Sequence, residues 1–366
     1  MTIALVGANA LVSPDRSSVA RHPAIAVCIP VRDERALLSR LLDSLDRQAG
    51  VDPGRVHACF YFDGCEDGGD ELVRDRAVAM ACGTNVVIGA RASEPNAGRA
   101  RAAAMALGEE RLLGEERAVL LTTDADSVPR ADWIAAACRA LETCDIVAGR
   151  VVRENGERDR AQARIEDYYD RLYAARRAID PVAWEPGGGH HFTSGANLGF
   201  RARAYRALGG FAHHPSGEDS LIVDEAARAG LRVRRDARVV VETSSRRDGR
   251  ALGGLATTLR ALDHEAAGAR TAMLAHPADA AWQWRGQARA RLAFARLDHA
   301  AVRTELAAAL ALTPDHVLGV ARDCPNAEAF AMRIVPCVPG GPRMVPLGVA
   351  ERALALLERA HHERAA

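Results

Sequence analysis

The 366 residues contain no lysine, and every basic side chain apart from histidine is arginine. That excludes a Walker-type phosphate loop, a kinase-type lysine and any chemistry routed through a lysine Schiff base. No apolar run approaches the ~18 residues needed to span a bilayer. A formal charge of +0 leaves no net field for wholesale attraction to nucleic acid or anionic lipid. No C-x-x-C pair links the cysteines at 28, 59, 65, 82, 138, 144, 324 and 337, and several sit in apolar runs as core thiols do. Neither a zinc site nor a disulfide framework is expected, and a reducing cytoplasm is. G-x-S-x-G and G-x-G-x-x-G are both missing, so serine-hydrolase and dinucleotide readings lack their signatures.

What is present is an ordinary globular composition, 48% hydrophobic and 26% charged. At ~150 residues per domain the length suggests two or three domains. Residues 1–22 carry an apolar stretch with no basic region before it, which reads as a leader and not as a secretory signal. Strand-like and helix-like segments then alternate. "AIAVCIPV" (24–31), "VHACFYFD" (56–63), "TNVVIGA" (84–90), "AVLLTT" (118–123) and "CDIVAGRVV" (144–152) read as strands. Helices fall between them, one capped by Asp33, one over 96–112 and one opened by Pro129 in its first turn. Such alternation indicates an α/β domain with a doubly wound, mostly parallel sheet. A polar helix (159–178), a Gly-rich stretch (184–211), a helix from Ser216 to Ala229 and a strand-like "RVVVET" (238–243) follow. The soft boundary at 250 leads into a helical C-terminal extension, 251–366, whose Trp282 and Trp284 read as core anchors.

In an open parallel sheet, ligands bind outside the carboxyl ends of the strands. Asp33, Asp63 and the pair Asp124/Asp126 all fall at such ends. In an extended segment Asp124 and Asp126 share one side, and two like charges there suit a hard divalent cation with phosphate oxygens. The same D-x-D also allows Asp126 or Ser127 to be a plain helix cap. In "HHPSGEDSLIVDEAARAG" (213–230), Ser216 and Asp219 have capping-box spacing, which local sequence favours. The alternative makes Glu218 or Asp219 a general base toward a hydroxyl. Residues 228–250 hold eight arginines against Asp236, Glu242 and Asp248, suited to phosphate or to a solvated loop. The paired histidines lack partners at metal-site spacing.

Six stretches in order, "AVCIPVRDERALLSRLLDSLDRQ", "YFDGCEDG", "NAGRARAAAMAL", "VLLTTDAD", "SGANLGFRARAYRALGGF" and "GEDSLIVDEAARAG", resemble the family 2 glycosyltransferases over about residues 24–245. The resemblance implies the A-type glycosyltransferase fold and inverting transfer from a nucleoside-diphosphate sugar, UDP first, to an acceptor hydroxyl. It implies Pro30, Val31, Asp33 or Glu34 near base and ribose, Asp63 on the base, and Arg99 or Arg101 near base or phosphates. Asp126 is implied as ligand to Mn²⁺ or Mg²⁺, Asp124 as contact to ribose or metal-bound water, and Arg246, Arg247 and Arg250 as neutralising diphosphate. Asp219 is implied as the base with Glu218 beside it, and Ser194, Gly195 and His191 on the acceptor side. "DGCEDG" departs from the fuller "DDGSxD"-like motif, and the Q-x-x-R-W signature of processive synthases is missing, which fits single transfer. A sugar-nucleotide-binding module without turnover and a sugar nucleotidyltransferase are the alternatives. The second usually needs a Gly-rich loop and a lysine that this chain lacks.

Overall fold

The computed structural model describes residues 23–89, 95–154, 160–185, 188–244, 273–335, 338 and 340–365. One eight-stranded sheet organises the first part. Its strands are β1 (Ala24–Val31), β2 (Val56–Asp63), β3 (Gly83–Gly89), β4 (Ala118–Thr122), β5 (Ser127–Pro129), β6 (Ile146–Arg153), β7 (Leu198–Arg201) and β8 (Val233–Thr243). They lie in the order β3-β2-β1-β4-β7-β6-β8-β5, with β7 and β5 antiparallel to their neighbours and the other pairings parallel.

The helices are α1 (Arg35–Asp46), α2 (Gly69–Ala77), α3 (Ala97–Arg111), α4 (Trp133–Leu141), α5 (Arg160–Ile179), α6 (Ala202–Ala207) and α7 (Glu218–Arg228). β1 is apolar along its whole length because both faces are covered. Ile25, Val27, Ile29 and Val31 pack toward α1 and α4, where Leu38, Leu41, Leu42 and Leu45 form the stripe of α1. The intervening Ala24, Ala26 and Cys28 pack toward α3, α6 and α7 with Met105, Tyr205, Ile222 and Val223.

Several local expectations change. Asp33 does not cap α1: it sits at φ 50, and its Oδ1 accepts from Glu66 N at 2.9 Å. Pro129 does not open a helix. It ends β5, pairing with Val241 at the sheet edge where its missing N–H costs nothing, and α4 starts at Trp133. Ser127 lies in β5, its hydroxyl donating to Thr243 Oγ1 at 3.3 Å. Ser216 does not cap α7, whose N-cap is the left-handed Gly217 at φ 79 with no side-chain bond. β7 emerges from the Gly-rich stretch, wedged between β4 and β6. A Cβ on Gly199 would lie 2.7 Å from Leu121 and 2.8 Å from Val147, so only glycine lets the three strands close.

The C-terminal part builds on a two-stranded ribbon, β9 (Met273–Ala275) with β10 (Met344–Pro346), and on α8 (Pro277–Ala293), α9 (Ala300–Leu310), α10 (Pro314–Arg322), α11 (Ala327–Ile334) and α12 (Leu347–Ala365). Leu306, Leu310, Val317 and Phe330 make its main core, and Trp282 packs against it. A second cluster joins Tyr168 and Ala175 of α5 to Trp284, Leu347 and Leu354. Among the described residues no helix is long and apolar enough to cross a membrane.

This part also closes the end of α7. Asn326 caps α11 by accepting from Ala329 N at 3.0 Å, and its Nδ2 donates to Gly230 O at 2.9 Å. Arg333 Nε donates to Arg228 O at 2.9 Å. Carbonyls that a helix C-terminus leaves without partners are thereby satisfied from another unit. Asn326→Ala is expected to cost about 1–2 kcal/mol, read as a lower urea midpoint at unchanged m-value. An unmoved midpoint would show that the docking contributes nothing.

Candidate active site

Arg101 gathers the site. It projects from α3, is 6% exposed, and reaches four protein acceptors. Its Nε donates to Glu218 Oε1 at 3.0 Å and its Nη2 to Asp124 Oδ1 at 2.9 Å. Its Nη1 donates to Thr122 Oγ1 at 3.0 Å and to Gly195 O at 2.9 Å. Burial works against its charge, but Asp124 and Glu218 outweigh that and hold its pKa above the usual guanidinium range. One planar cation therefore ties the end of β4, the first turn of α7 and the 188–197 loop together. Gly195 has to be glycine, because a Cβ there would lie 2.3 Å from the guanidinium carbon.

The adjacent carboxylates of "ED" point to different places. Glu218 is 4% exposed and turned inward onto Arg101. Asp219 is only partly buried. Its Oδ2 accepts from Gly195 N at 2.9 Å and its Oδ1 from Ser220 N at 2.7 Å. Each oxygen thus holds one backbone donor and keeps acceptor capacity for a further proton. Ser194 Oγ accepts from Ala196 N at 3.3 Å, bending the chain into position.

Asp124 and Asp126 do not lie on an extended segment. β4 stops at Thr122, and Ser127 N donates back to Asp124 O at 3.1 Å, closing a turn. Asp124 has one oxygen on Arg101, and Asp126 Oδ1 accepts from Thr243 Oγ1 at 3.5 Å. Both are partly exposed, unlike Thr122 and Ser127, which are buried. Two hard carboxylates in one turn, with one already anchored by an arginine, fit a cation that completes its shell with water and phosphate oxygens.

At the neighbouring strand ends, Asp63 is 2% exposed and paired with Arg32 at 2.7 Å, while Arg99 Nη2 lies 3.9 Å away. Arg32 was not singled out in the sequence, although it stands inside "PVRDE" beside Asp33. Pro30 and Val31 end β1, and Glu34 stands at the N-cap position before α1 at 8% exposure. Asp33, Cys65 and Asp67 converge within 4.8 Å. Asp33 and Asp67 accept from backbone N–H groups of Glu66, Arg35 and Gly69, and burial pushes the Cys65 thiol up to about 11, so the trio locks a loop. Arg246, Arg247 and Arg250 lie outside the described residues.

His191 shares Asp170 with Arg150, at 2.9 and 2.5 Å, and stacks on Tyr169 with ring centroids 5.1 Å apart. Burial would raise Asp170, but the His191 hydrogen bond and Arg150 hold it at about 2. His190 is fully buried with neither ring nitrogen bonded, and burial, then Arg150 and Arg235, pull it down to about 3. Trp133 and Asn197 complete the support: Trp133 Nε1 donates to Asn197 Oδ1 at 2.8 Å, and Asn197 Nδ2 to Arg150 O and Val239 O. Sequence reasoning missed both, and only the polar Asn in "SGANLGF" signalled one of them.

The family model "Glycosyl transferase family 2" matches residues 26–209. The chain belongs to that family and is a glycosyltransferase, and its largely parallel mixed sheet with a helical C-terminal region is the A-type glycosyltransferase fold. No curated protein matches it. Among solved structures, S. aureus TarS 1–349 in complex with UDP-GlcNAc is 13% identical, covering 89% of this chain and 90% of that one at a TM-score of 0.47. The mannosyltransferase PcManGT from Pyrobaculum calidifontis, in complex with GDP-Man and Mn²⁺, is 18% identical, covering 86% of each chain at a TM-score of 0.48.

Two outcomes follow from the buried charges. Arg101→Met strands Glu218 and is expected to cost about 3–5 kcal/mol in urea unfolding, against about 0.5 for an exposed arginine. His190 stays neutral in the fold but takes a proton when unfolded below its usual pKa of 6.5. Its contribution is therefore present above that value and lost as pH falls from about 6.5 toward 3, with a slope near 1.4 kcal/mol per pH unit. His190→Asn should flatten the acid limb by about one proton, and an unchanged limb would show that the ring is already charged.

Proposed function

We propose that this glycosyltransferase is a metal-dependent, inverting enzyme that moves a sugar from a nucleoside diphosphate, UDP first, to an acceptor hydroxyl in single transfers in the cytoplasm. The observation that carries this reading is the single array in which Arg101 joins Asp124, beside the cation carboxylate Asp126, to the turn that presents Asp219. Donor and base are then held in fixed relation by one buried cation. Asp126 with the outer oxygen of Asp124 would hold Mn²⁺ or Mg²⁺, which when bound neutralises the leaving diphosphate.

Asp219 takes the proton of the attacking hydroxyl. Its two backbone donors orient the carboxylate without saturating it, and its partly exposed position gives the acceptor access. Inversion needs one base and no covalent sugar–enzyme bond, and Glu218, buried against Arg101, is not placed to act as a second one. Arg101 and Glu218 are positioning residues on this reading. Asp63, with Arg32 and Arg99 beside it, and the turn after Val31 receive the base and ribose. Ser194, Gly195 and His191 border the acceptor.

A thermal-shift panel of sugar nucleotides, each with Mn²⁺ and with chelator, tests the donor half. A ligand at about 100 times its Kd adds about 2.7 kcal/mol. Stabilisation is expected only with metal and is lost in Asp126→Ala. Asp219→Asn should keep that shift while transfer falls at least about 100-fold. A donor shift indifferent to chelator, or full transfer by Asp219→Asn, would sink the assignment.

A further inference from the structure

A cluster of cations next to the acceptor loop has no role so far. Arg176 and Arg177 come from α5 and Arg235 from β8. The guanidinium carbons of Arg177 and Arg235 lie 5.7 and 5.5 Å from the ring centroid of Tyr173. One carboxylate, Glu185, serves them, 3.3 Å from Arg177 and 3.8 Å from Arg235, and its Oε1 is already taken by Arg235 N at 2.9 Å. Among the described residues no carboxylate lies within ion-pair distance of Arg176. The Nε groups of Arg176, Arg177 and Arg235 are buried without a hydrogen-bond partner, as are both ring nitrogens of the fully buried His190. Burial, then the charges of Arg177 and Arg235, pull Arg176 down to about 10, a sign of cations crowded together without enough anions.

Buried donors without acceptors are costly, and arginine more so than most. The missing partner has to supply several acceptor oxygens and more than one negative charge, which a phosphate does and a lone carboxylate does not. The place is equally specific. Arg235 Nη2 donates to Thr193 Oγ1 at 3.3 Å, and two residues on, Gly195 N donates to Asp219 Oδ2 at 2.9 Å. Two residues span at most about 7 Å, so one short stretch of loop touches both Arg235 and Asp219.

We propose that the acceptor carries a phosphate group, and that Arg176, Arg177 and Arg235 hold it beside the loop that touches Asp219. This rests on the transfer reading above and narrows its acceptor to a phosphorylated hydroxyl compound. The phosphate anchors and the hydroxyl reacts. Side chains of Arg177 and Arg235 are 18% and 16% exposed, which leaves such a group a way in.

The test is thermal denaturation with inorganic phosphate in the presence of chelator, so that no cation bridges phosphate to Asp126. Wild type is expected to gain Tm with phosphate, and Asp126→Ala to gain as much, whatever becomes of the donor assignment. Arg176→Met should raise the Tm of the free protein by removing a crowded charge, yet weaken phosphate binding at least tenfold. Glu185→Gln should strengthen the phosphate response. Glycerol 3-phosphate and a dispersed short-chain phosphatidic acid then separate a soluble monoester from a lipid headgroup by which of them shifts Tm at lower concentration. A phosphate shift that survives Arg176→Met, or no shift from any of the three phosphates, overturns the proposal. So does an Arg176→Met that only lowers Tm while Glu185→Gln leaves the phosphate response unchanged, since the cluster would then be structural.

Discussion

The interaction on which this structure depends is the buried guanidinium of Arg101. A cation at that depth is tolerable only when its charge and its N–H groups are met by acceptors in fixed places. Glu218, Asp124, Thr122 Oγ1 and Gly195 O meet it from three separate elements. The requirement runs in both directions: Arg101 needs those groups, and they are held where it can reach them. A strand end, a helix start and a loop that share no sequence neighbourhood thus become one surface. Lysine, with a compact ammonium on a flexible stem, offers no planar fork to do this.

The same logic extends outward from that centre. α7 is held at its first turn by Arg101 and at its far end by Asn326 and Arg333 from the C-terminal helices. Both termini of a short helix are therefore pinned by other units, and Asp219 rides on the pinned element. The C-terminal helices also share a core with α5, which supplies Tyr173, Arg176 and Arg177 to the cluster beside the 188–197 loop. A region with no motif of its own supports two helices that matter to the site.

Strands at 24–31 and 56–63 were legible to the residue because strands covered on both faces are unbroken apolar runs. α3 and α5 were legible within one residue at each end, since Asn96 caps the first and both carry long helix-forming stretches. β7 was not legible, because Leu198–Arg201 is short and glycine-bearing, and becomes a strand only through its antiparallel neighbours. Pro129 misled for a related reason. It suits a first helical turn by its own geometry, but β8 offers it an edge pairing. Ser216 failed as a cap because Gly217 takes the left-handed N-cap position itself.

By itself the sequence determined the acidic strand ends, the hydrophobic alternation that makes the sheet, and the order of motifs that marks the family. These depend on residue type at short separation, where chain geometry allows few alternatives. Only the tertiary structure decided that Glu218 and Asp219, adjacent in the chain, take different partners, one the buried guanidinium of Arg101 and the other the backbone N–H groups of Gly195 and Ser220. It alone decided that Arg235 of one strand and Arg177 of a helix share one carboxylate, Glu185. Electrostatics in a low-dielectric interior depends on distances between residues far apart in sequence, and folding sets those distances.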